Sequence, residues 1–125
     1  MTHNKQKLTL EFEIKSSPKI LFNYLSNASA LEEWFADKVI IREGDYVFSW
    51  DGSEQRASIV TRKENQSIRY KWVGSEDYFQ FDIVQDEITG DIALVVTDFT
   101  LPEDKDASVR LWESQIQELK HHIGC

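Results

Sequence analysis

The sequence predicts an α+β domain in which an antiparallel sheet packs against one long C-terminal helix. Most of the chain alternates apolar and polar residues with a period of two, which is typical of strands with one buried face. Short turn signals separate these segments, so consecutive strands are expected to pair antiparallel. The last segment instead repeats apolar residues at steps of three and four, as one stripe of a helix does. The residues of this stripe are Val109, Trp112, Ile116, Leu119 and Ile123.

Length and composition describe one domain with its own core. A chain of 125 residues buries roughly two-thirds of the surface that its unfolded form exposes. We therefore expect a single domain over residues 1–125, ordered from about residue 7 to about residue 123. The sole cysteine, Cys125, has no partner for an internal disulfide, which fits a reducing compartment.

The charge balance excludes several classes of partner. The net charge is −8, from 22 acidic and 14 basic residues, so most of the surface would repel nucleic acid and anionic membranes. The segment from Met1 to Lys7 is polar, unlike a signal peptide. No apolar run approaches the roughly 20 residues that span a bilayer. The sequence thus predicts a soluble cytoplasmic protein with no nucleic-acid partner and no membrane insertion.

One strand and two helices are predicted before the main group of strands. The strand is Leu8–Lys15, where apolar and polar residues alternate strictly. Ser17 and Pro18 match the N-cap and the first residue of a helix. Ser29 and Glu32 have the spacing of a capping box, which predicts that a second, short helix begins at Ser29.

Six further strands are predicted in the middle of the chain. Turn residues such as Asp51-Gly52 separate them. The last of the six contains Ala93-Leu94-Val95-Val96, which is apolar on both faces and favours a central or doubly covered strand. The expected element order is therefore β-α-α-β6-α. The six segments are 39–42, 46–50, 56–61, 68–72, 79–83 and 92–99.

The C-terminal helix is expected to begin between Glu103 and Ala107 and to end at Gly124, a residue type common just after helices. Positively charged or titratable side chains at 120–122 suit the negative end of its dipole. At 1.5 Å per residue the helix is roughly 25–30 Å long. It is thus long enough to cross a small sheet.

Several short motifs, taken with the element order, match those of one superfamily. They are Ser16-Ser17-Pro18, Leu31 with Trp34, Tyr46/Phe48/Trp50, Ile68–Trp72, Thr97-Asp98-Phe99, and Trp112 ahead of Ile116 and Leu119. From about Lys7 to Ile123 the chain resembles the START-like (SRPBCC, helix-grip) superfamily. It looks nearest to the small bacterial members related to the activator of heat-shock-protein ATPase. The resemblance implies a curved antiparallel sheet wrapped around the C-terminal helix, with a cavity between them.

The same resemblance implies a range of functions. Members of the superfamily bind lipids, hormones, polyketides or other apolar molecules, some catalyse cyclisation, and some bind chaperones. We expect a module that binds a small apolar or amphipathic ligand in the cavity. One alternative is a protein-interaction or chaperone-accessory module without a ligand, and a weaker one is a small cyclase- or hydrolase-like enzyme. Fold alone does not choose among them, and the oligomeric state stays open.

The candidate ligand pocket consists of ring side chains on the strands and on the C-terminal helix, with one carboxyl group. These side chains either line a pocket or fill the same space as a plain core. An empty cavity of about 300 Å3 would cost roughly 7 kcal/mol, a large part of a typical stability of about 5–15 kcal/mol. A large dry void is therefore not expected. The candidate residues are Trp34, Phe48, Trp50, Tyr70, Trp72, Phe79, Phe81, Asp98, Trp112 and Ile116.

No catalytic set, metal site or cofactor site is predicted. His3, His121 and His122 lie at the chain ends, and neighbouring helix positions point about 100° apart, so the last two cannot readily share a metal. Asp98, if buried, would have a raised pKa and could hold the polar end of a ligand or act as an acid, although such a residue more often faces solvent. Glu113 either edges the pocket or lies on a solvated helix face.

Overall fold

The computed structural model describes residues 4–124. Within that range the chain forms seven strands, three α-helices and one 3-10 turn, in the predicted order. His3 and Cys125, on which two sequence arguments rested, lie outside the described residues. The elements are β1 (Gln6–Ile14), α1 (Pro18–Ser26), α2 (Ala28–Trp34), β2 (Lys38–Arg42), β3 (Asp45–Trp50), β4 (Ser53–Lys63), β5 (Ser67–Trp72), β6 (Tyr78–Gln85), β7 (Ile92–Thr100), the 3-10 turn Pro102–Asp104 and α3 (Lys105–Ile123).

All seven strands belong to one antiparallel sheet, in the order β1-β7-β6-β5-β4-β3-β2. The first strand pairs with the last over nine residues, from Gln6 opposite Thr100 to Ile14 opposite Ile92. This pairing gives β7 a neighbour on each side, as its two-sided apolar run indicates. The predicted α+β fold, a helix-grip sheet with a long C-terminal helix, is confirmed.

Helix α1 begins where the sequence predicts. The Ser17 hydroxyl accepts a hydrogen bond from the Ile20 amide at 3.1 Å, and Pro18 is the first helical residue. At the other end of the chain, α3 begins at Lys105, inside the predicted interval. Gly124 ends it in the left-handed conformation, with φ of 92°, which a residue without Cβ adopts readily.

The predicted start of the second helix is wrong by one residue. The N-cap is Asn27, whose side chain accepts the Ala30 amide at 3.2 Å, so α2 begins at Ala28. Asn27 also ends α1, because its own amide donates to the Asn23 carbonyl. A single residue joins the two helices, and Ser29 therefore already lies inside α2. Glu32 has a different role from the predicted one, since its carboxylate accepts the Val39 amide at 2.8 Å.

The core lies between the inner face of the sheet and the three helices. Trp112, Ile116 and Leu119 of α3 are buried, and Val109 and Ile123 are partly buried against the same cluster. The apolar stripe predicted for the C-terminal helix thus faces the sheet. Each large apolar side chain fully buried there contributes about 1.5–3 kcal/mol. Within residues 4–124, no helix has both the length and the hydropathy that a membrane crossing requires.

Two tyrosine hydroxyl groups fasten α1 to the sheet. Tyr46 donates to the Ser26 carbonyl at 2.6 Å, and Tyr70 donates to the Leu25 carbonyl at 2.7 Å. The last four carbonyls of a helix have no partner within it, so these bonds satisfy groups that would otherwise be buried unpaired. Burial raises the pKa of the Tyr70 hydroxyl far above its ordinary value and that of Tyr46 less strongly.

Candidate ligand-binding cavity

A cavity of about 410 Å3 lies between the sheet, the end of α2 and the middle of α3. It is reached from solvent beside Gln55 and Leu111, which are both exposed. The wall is mainly aromatic, with one carboxyl and two amide groups. It is lined by Phe35, Trp50, Gln55, Trp72, Phe79, Asp98, Leu111, Trp112 and Gln115.

Phe35, the residue that follows α2, is at the centre of the aromatic wall. Its ring centroid lies 5.4 Å from that of Trp50, 5.1 Å from that of Phe79 and 5.8 Å from that of Trp112. The ring centroid of Trp72 also lies 5.1 Å from that of Phe79. Aromatic pairs at such distances stabilise each other by about 0.5–1.5 kcal/mol beyond their burial. The wall is therefore a connected ring cluster with a defined shape.

The Phe35 carbonyl joins three elements at the edge of the cavity. The Trp50 indole N–H donates to it at 2.8 Å, and the Gln115 side-chain amide donates to it at 2.9 Å. This carbonyl is one of the unpartnered groups at the C-terminal end of α2. The two bonds attach β3 and α3 to that helix end and hold both side chains in place.

Asp98 lies in the cavity wall and is mostly buried. One carboxyl oxygen accepts the Trp112 indole N–H at 2.8 Å, and the other accepts the Phe99 amide at 2.8 Å. Burial raises the pKa of the Asp98 carboxyl, and the two N–H donors partly offset that rise. The solvent-facing position that such a residue more often takes is therefore not the one observed. Glu113, in contrast, lies on the exposed side of α3.

The candidate pocket residues from the sequence divide into two groups. Trp50, Trp72, Phe79, Asp98 and Trp112 lie in the cavity wall. The others are buried in the core behind the wall or beside it, where the helices cover them. Those outside the wall are Trp34, Phe48, Tyr70, Phe81 and Ile116.

Four residues that line the cavity were not among the candidates predicted from the sequence: Phe35, Gln55, Leu111 and Gln115. Two of them carried a signal. Phe35 follows Leu31 and Trp34 at helical spacing, which continues the apolar stripe of α2. Gln115 stands three residues after Trp112, on the same face of α3. Gln55 and Leu111 are exposed, and no sequence pattern distinguishes them from other surface residues.

The chemistry that this wall offers is limited. Asp98 is the only titratable residue among those that line the cavity, so acid–base catalysis here would depend on one carboxyl group. In residues 4–124, no three metal-binding side chains lie close enough together to hold an ion. His122 lies 3.3 Å from Glu33 and 3.8 Å from Glu118, where it connects the end of α3 to α2.

Known structures resemble this fold closely at low sequence identity. The solution structure of the Aha1 dimer from Colwellia psychrerythraea is 15% identical, with a TM-score of 0.78 over 94% of this chain and 96% of that one. MLL2253 from Mesorhizobium loti is 18% identical, with a TM-score of 0.68 over 93% and 98% of the two chains. DynU16, from the dynemicin biosynthetic locus, is 11% identical, with a TM-score of 0.77 over 94% of this chain and 47% of its own. At such identities the likeness shows the fold alone.

Comparison of sequences gives the family. No curated protein matches this chain. A family model described as a START-like superfamily domain matches residues 1–125, the whole sequence. The chain therefore belongs to the START-like superfamily.

Proposed function

We propose that this protein binds a small apolar or amphipathic molecule in the cavity between the sheet and α3. The observation that carries the proposal is the aromatic-walled cavity of about 410 Å3. Its volume falls within the roughly 300–1,000 Å3 typical of small-molecule sites. Membership of the START-like superfamily supports the proposal, because members of that superfamily bind hydrophobic ligands.

Energetics favour an occupied cavity. Because the cavity is reached from solvent, water fills it when no ligand is bound. The phenylalanine rings of the wall offer that water no hydrogen-bond partners, so water there is held less well than in a polar site. A ligand with an apolar body displaces that water and gains roughly 25 cal/mol for each Å2 of apolar surface that it buries.

Native mass spectrometry of gently purified protein, combined with thermal shifts against lipid and aromatic libraries, tests the proposal. We expect a co-purified small molecule or a library member that raises Tm by roughly 10 °C at one hundred times its Kd. Leu111→Trp narrows the cavity mouth and should abolish the shift. Ser114→Trp adds the same ring to an exposed position of α3 outside the wall and should retain it. No bound mass and no shift with any compound would refute the proposal.

A protein-binding role without a ligand is the second candidate. The outer face of the sheet favours it, because Val84 is 52% exposed there and the half-buried rings of Tyr78 and Phe99 lie 5.0 Å apart. Sedimentation at rising concentration and affinity capture with the wild-type chain test this role. A Val84→Lys variant that loses a stable partner, in a protein whose cavity binds nothing, would favour the second candidate over the first.

A further inference from the structure

The cavity wall holds both hydrogen-bond donors and acceptors, and its one carboxyl group is purely an acceptor when ionised. Trp50 and Trp112 already donate their indole N–H groups, to the Phe35 carbonyl and to Asp98. The Gln115 amide nitrogen donates to the same Phe35 carbonyl, which leaves its side-chain oxygen free to accept. An ionised carboxylate offers about four lone-pair sites, and Asp98 uses one on each oxygen. Asp98 therefore keeps acceptor sites for a molecule inside the cavity, beside the amide groups of Gln55 and Gln115.

The only formal charge in the wall is negative. Asp98 is the one ionisable residue among the lining residues. Burial raises the pKa of its carboxyl group, and the two N–H groups that its oxygens accept partly offset that rise. Lys5 favours the ionised form of Asp98 through space and Asp77 opposes it, and these two groups form an ion pair with each other at 3.0 Å. Among the lining residues, Asp98 is therefore the one that can carry a charge opposite to that of a bound cation.

The aromatic side chains favour a ligand charge of the opposite sign. The faces of tryptophan and phenylalanine rings attract a cation within about 6 Å of their centres. Trp50, Trp72 and Trp112 all line the cavity, together with Phe35 and Phe79. The net charge of −8 for the whole chain also raises the local concentration of cationic molecules.

From these observations we infer that the cavity selects a small amphipathic cation: an ammonium group on a flat or aromatic apolar body. The ammonium donates to Asp98 and to the Gln115 side-chain oxygen, and the apolar body lies among the rings. This inference rests on the proposed function and specifies its ligand class. A carboxylate on the same apolar body would face Asp98 as a like charge and is rejected.

A matched probe series tests the inference with the wild-type protein. The probes are 4-phenylbutylamine, 4-phenyl-1-butanol and 4-phenylbutyrate, which share one apolar body and differ in the head group. Binding is followed by quenching of tryptophan fluorescence and by calorimetry at low salt. We expect the amine to bind at least tenfold more tightly than the carboxylate, with the alcohol between them.

Two variants assign the preference to one residue. Asp98→Asn retains an acceptor for Trp112 and removes the charge, so the affinity for the amine should fall about tenfold while that for the alcohol changes less than twofold. Glu113→Gln removes one negative charge beside Trp112, outside the wall, and should change neither affinity by more than about twofold.

The outcomes separate the inference from the proposed function. If the alcohol or the carboxylate binds as tightly as the amine, the inference is overturned and the ligand-binding function stands. If Glu113→Gln loses as much affinity as Asp98→Asn, net charge and not Asp98 sets the preference, and the assignment is overturned. If no probe and no library compound binds, both fail. The wild-type series decides the head-group preference even if Asp98→Asn does not fold.

Discussion

The two ends of the inner face of the sheet differ in how they are covered, although two strands carry similar aromatic residues toward both ends. Strands β3 and β5 each contain a tyrosine and end in a tryptophan: Tyr46 and Trp50 in one, Tyr70 and Trp72 in the other. Both tyrosines are buried, with their hydroxyl groups on the carbonyls that end α1. Both tryptophans lie in the wall of an accessible cavity. The end that α1 covers, around Tyr46 and Tyr70, is solid core (the closed end), and the end beyond α2, around Trp50 and Trp72, borders the cavity (the open end).

This contrast shows that the covering helices, and not the strands, decide what an inner-face aromatic does. Alternation brings all four rings to the same face, where they have equal hydrophobic character. Helix-end carbonyls hold rings at both ends, the two tyrosine hydroxyl groups at α1 and the Trp50 indole N–H at the Phe35 carbonyl. The difference is therefore how completely the covering side chains fill the space, and under α1 both tyrosine rings are buried. At the other end Phe35 and Trp112 approach without filling the volume.

The largest expected effect is on stability, and it differs between substitutions of two aromatic residues of β5, Tyr70 and Trp72. Tyr70→Ala should lower the free energy of unfolding by about 3–5 kcal/mol, because the ring is fully buried and a cavity would replace it. Trp72→Ala should cost only about 1–2 kcal/mol, because Trp72 is half-buried at the cavity wall. Urea denaturation with comparison of m-values measures both. Equal losses would contradict the division of the inner face into a closed and an open end.

Replacing Tyr70 with phenylalanine tests the contribution of its hydroxyl group alone. Tyr70→Phe should cost about 1–3 kcal/mol, because it leaves the Leu25 carbonyl buried without its partner. Tyr78→Phe is the matched control on the outer face and should stay within about 0.5 kcal/mol of wild type. A loss for Tyr70→Phe no larger than that of the control would show that α1 does not depend on this bond.

Alkaline pH should lower the stability of the protein through Tyr70, at the closed end. The folded-state pKa of Tyr70 is raised by burial, whereas in the unfolded chain it titrates near 10. Above that pH the unfolded state releases a proton that the folded state keeps, so stability falls by up to about 1.4 kcal/mol per pH unit. The free energy of unfolding, measured from pH 9 to 11.5, should fall less steeply in Tyr70→Phe than in wild type. Parallel curves of unfolding free energy against pH for the two proteins would contradict the assignment of this effect to Tyr70.

The smallest effect concerns the carboxyl group at the open end. The folded-state pKa of Asp98 is raised, with burial as the largest cause. The unfolded state therefore releases this proton at lower pH than the folded state, and wild type loses stability relative to Asp98→Asn as the pH rises from about 3 to 6. Chemical denaturation of both proteins across that range measures the difference. A difference that moves in the opposite direction would mean that hydrogen bonding outweighs burial.

Periodicity alone predicts much of the fold. The alternation in β1 and the stripe in α3 each identify both the element and its buried face. In β1 a one-residue shift would turn every apolar side chain to water, and in α3 the steps of three and four place the apolar residues on one side of the helix. The caps at Ser17 and Gly124 are equally local signals. The start of α2 shows the limit of such signals. Ser29 and Glu32 fit a capping box, but Asn27, which also ends α1, is the cap.

For the candidate site, the sequence by itself determined that ring side chains would lie on the inner face and that Trp112 would face them. Only the tertiary structure decided which rings line space and which fill it. The Tyr70 hydroxyl meets a carbonyl 45 residues away, and Trp112 reaches Asp98 across 14 residues. Such contacts depend on the distance at which helices settle over the sheet. That distance is set by the summed packing of the whole core, which no local pattern encodes.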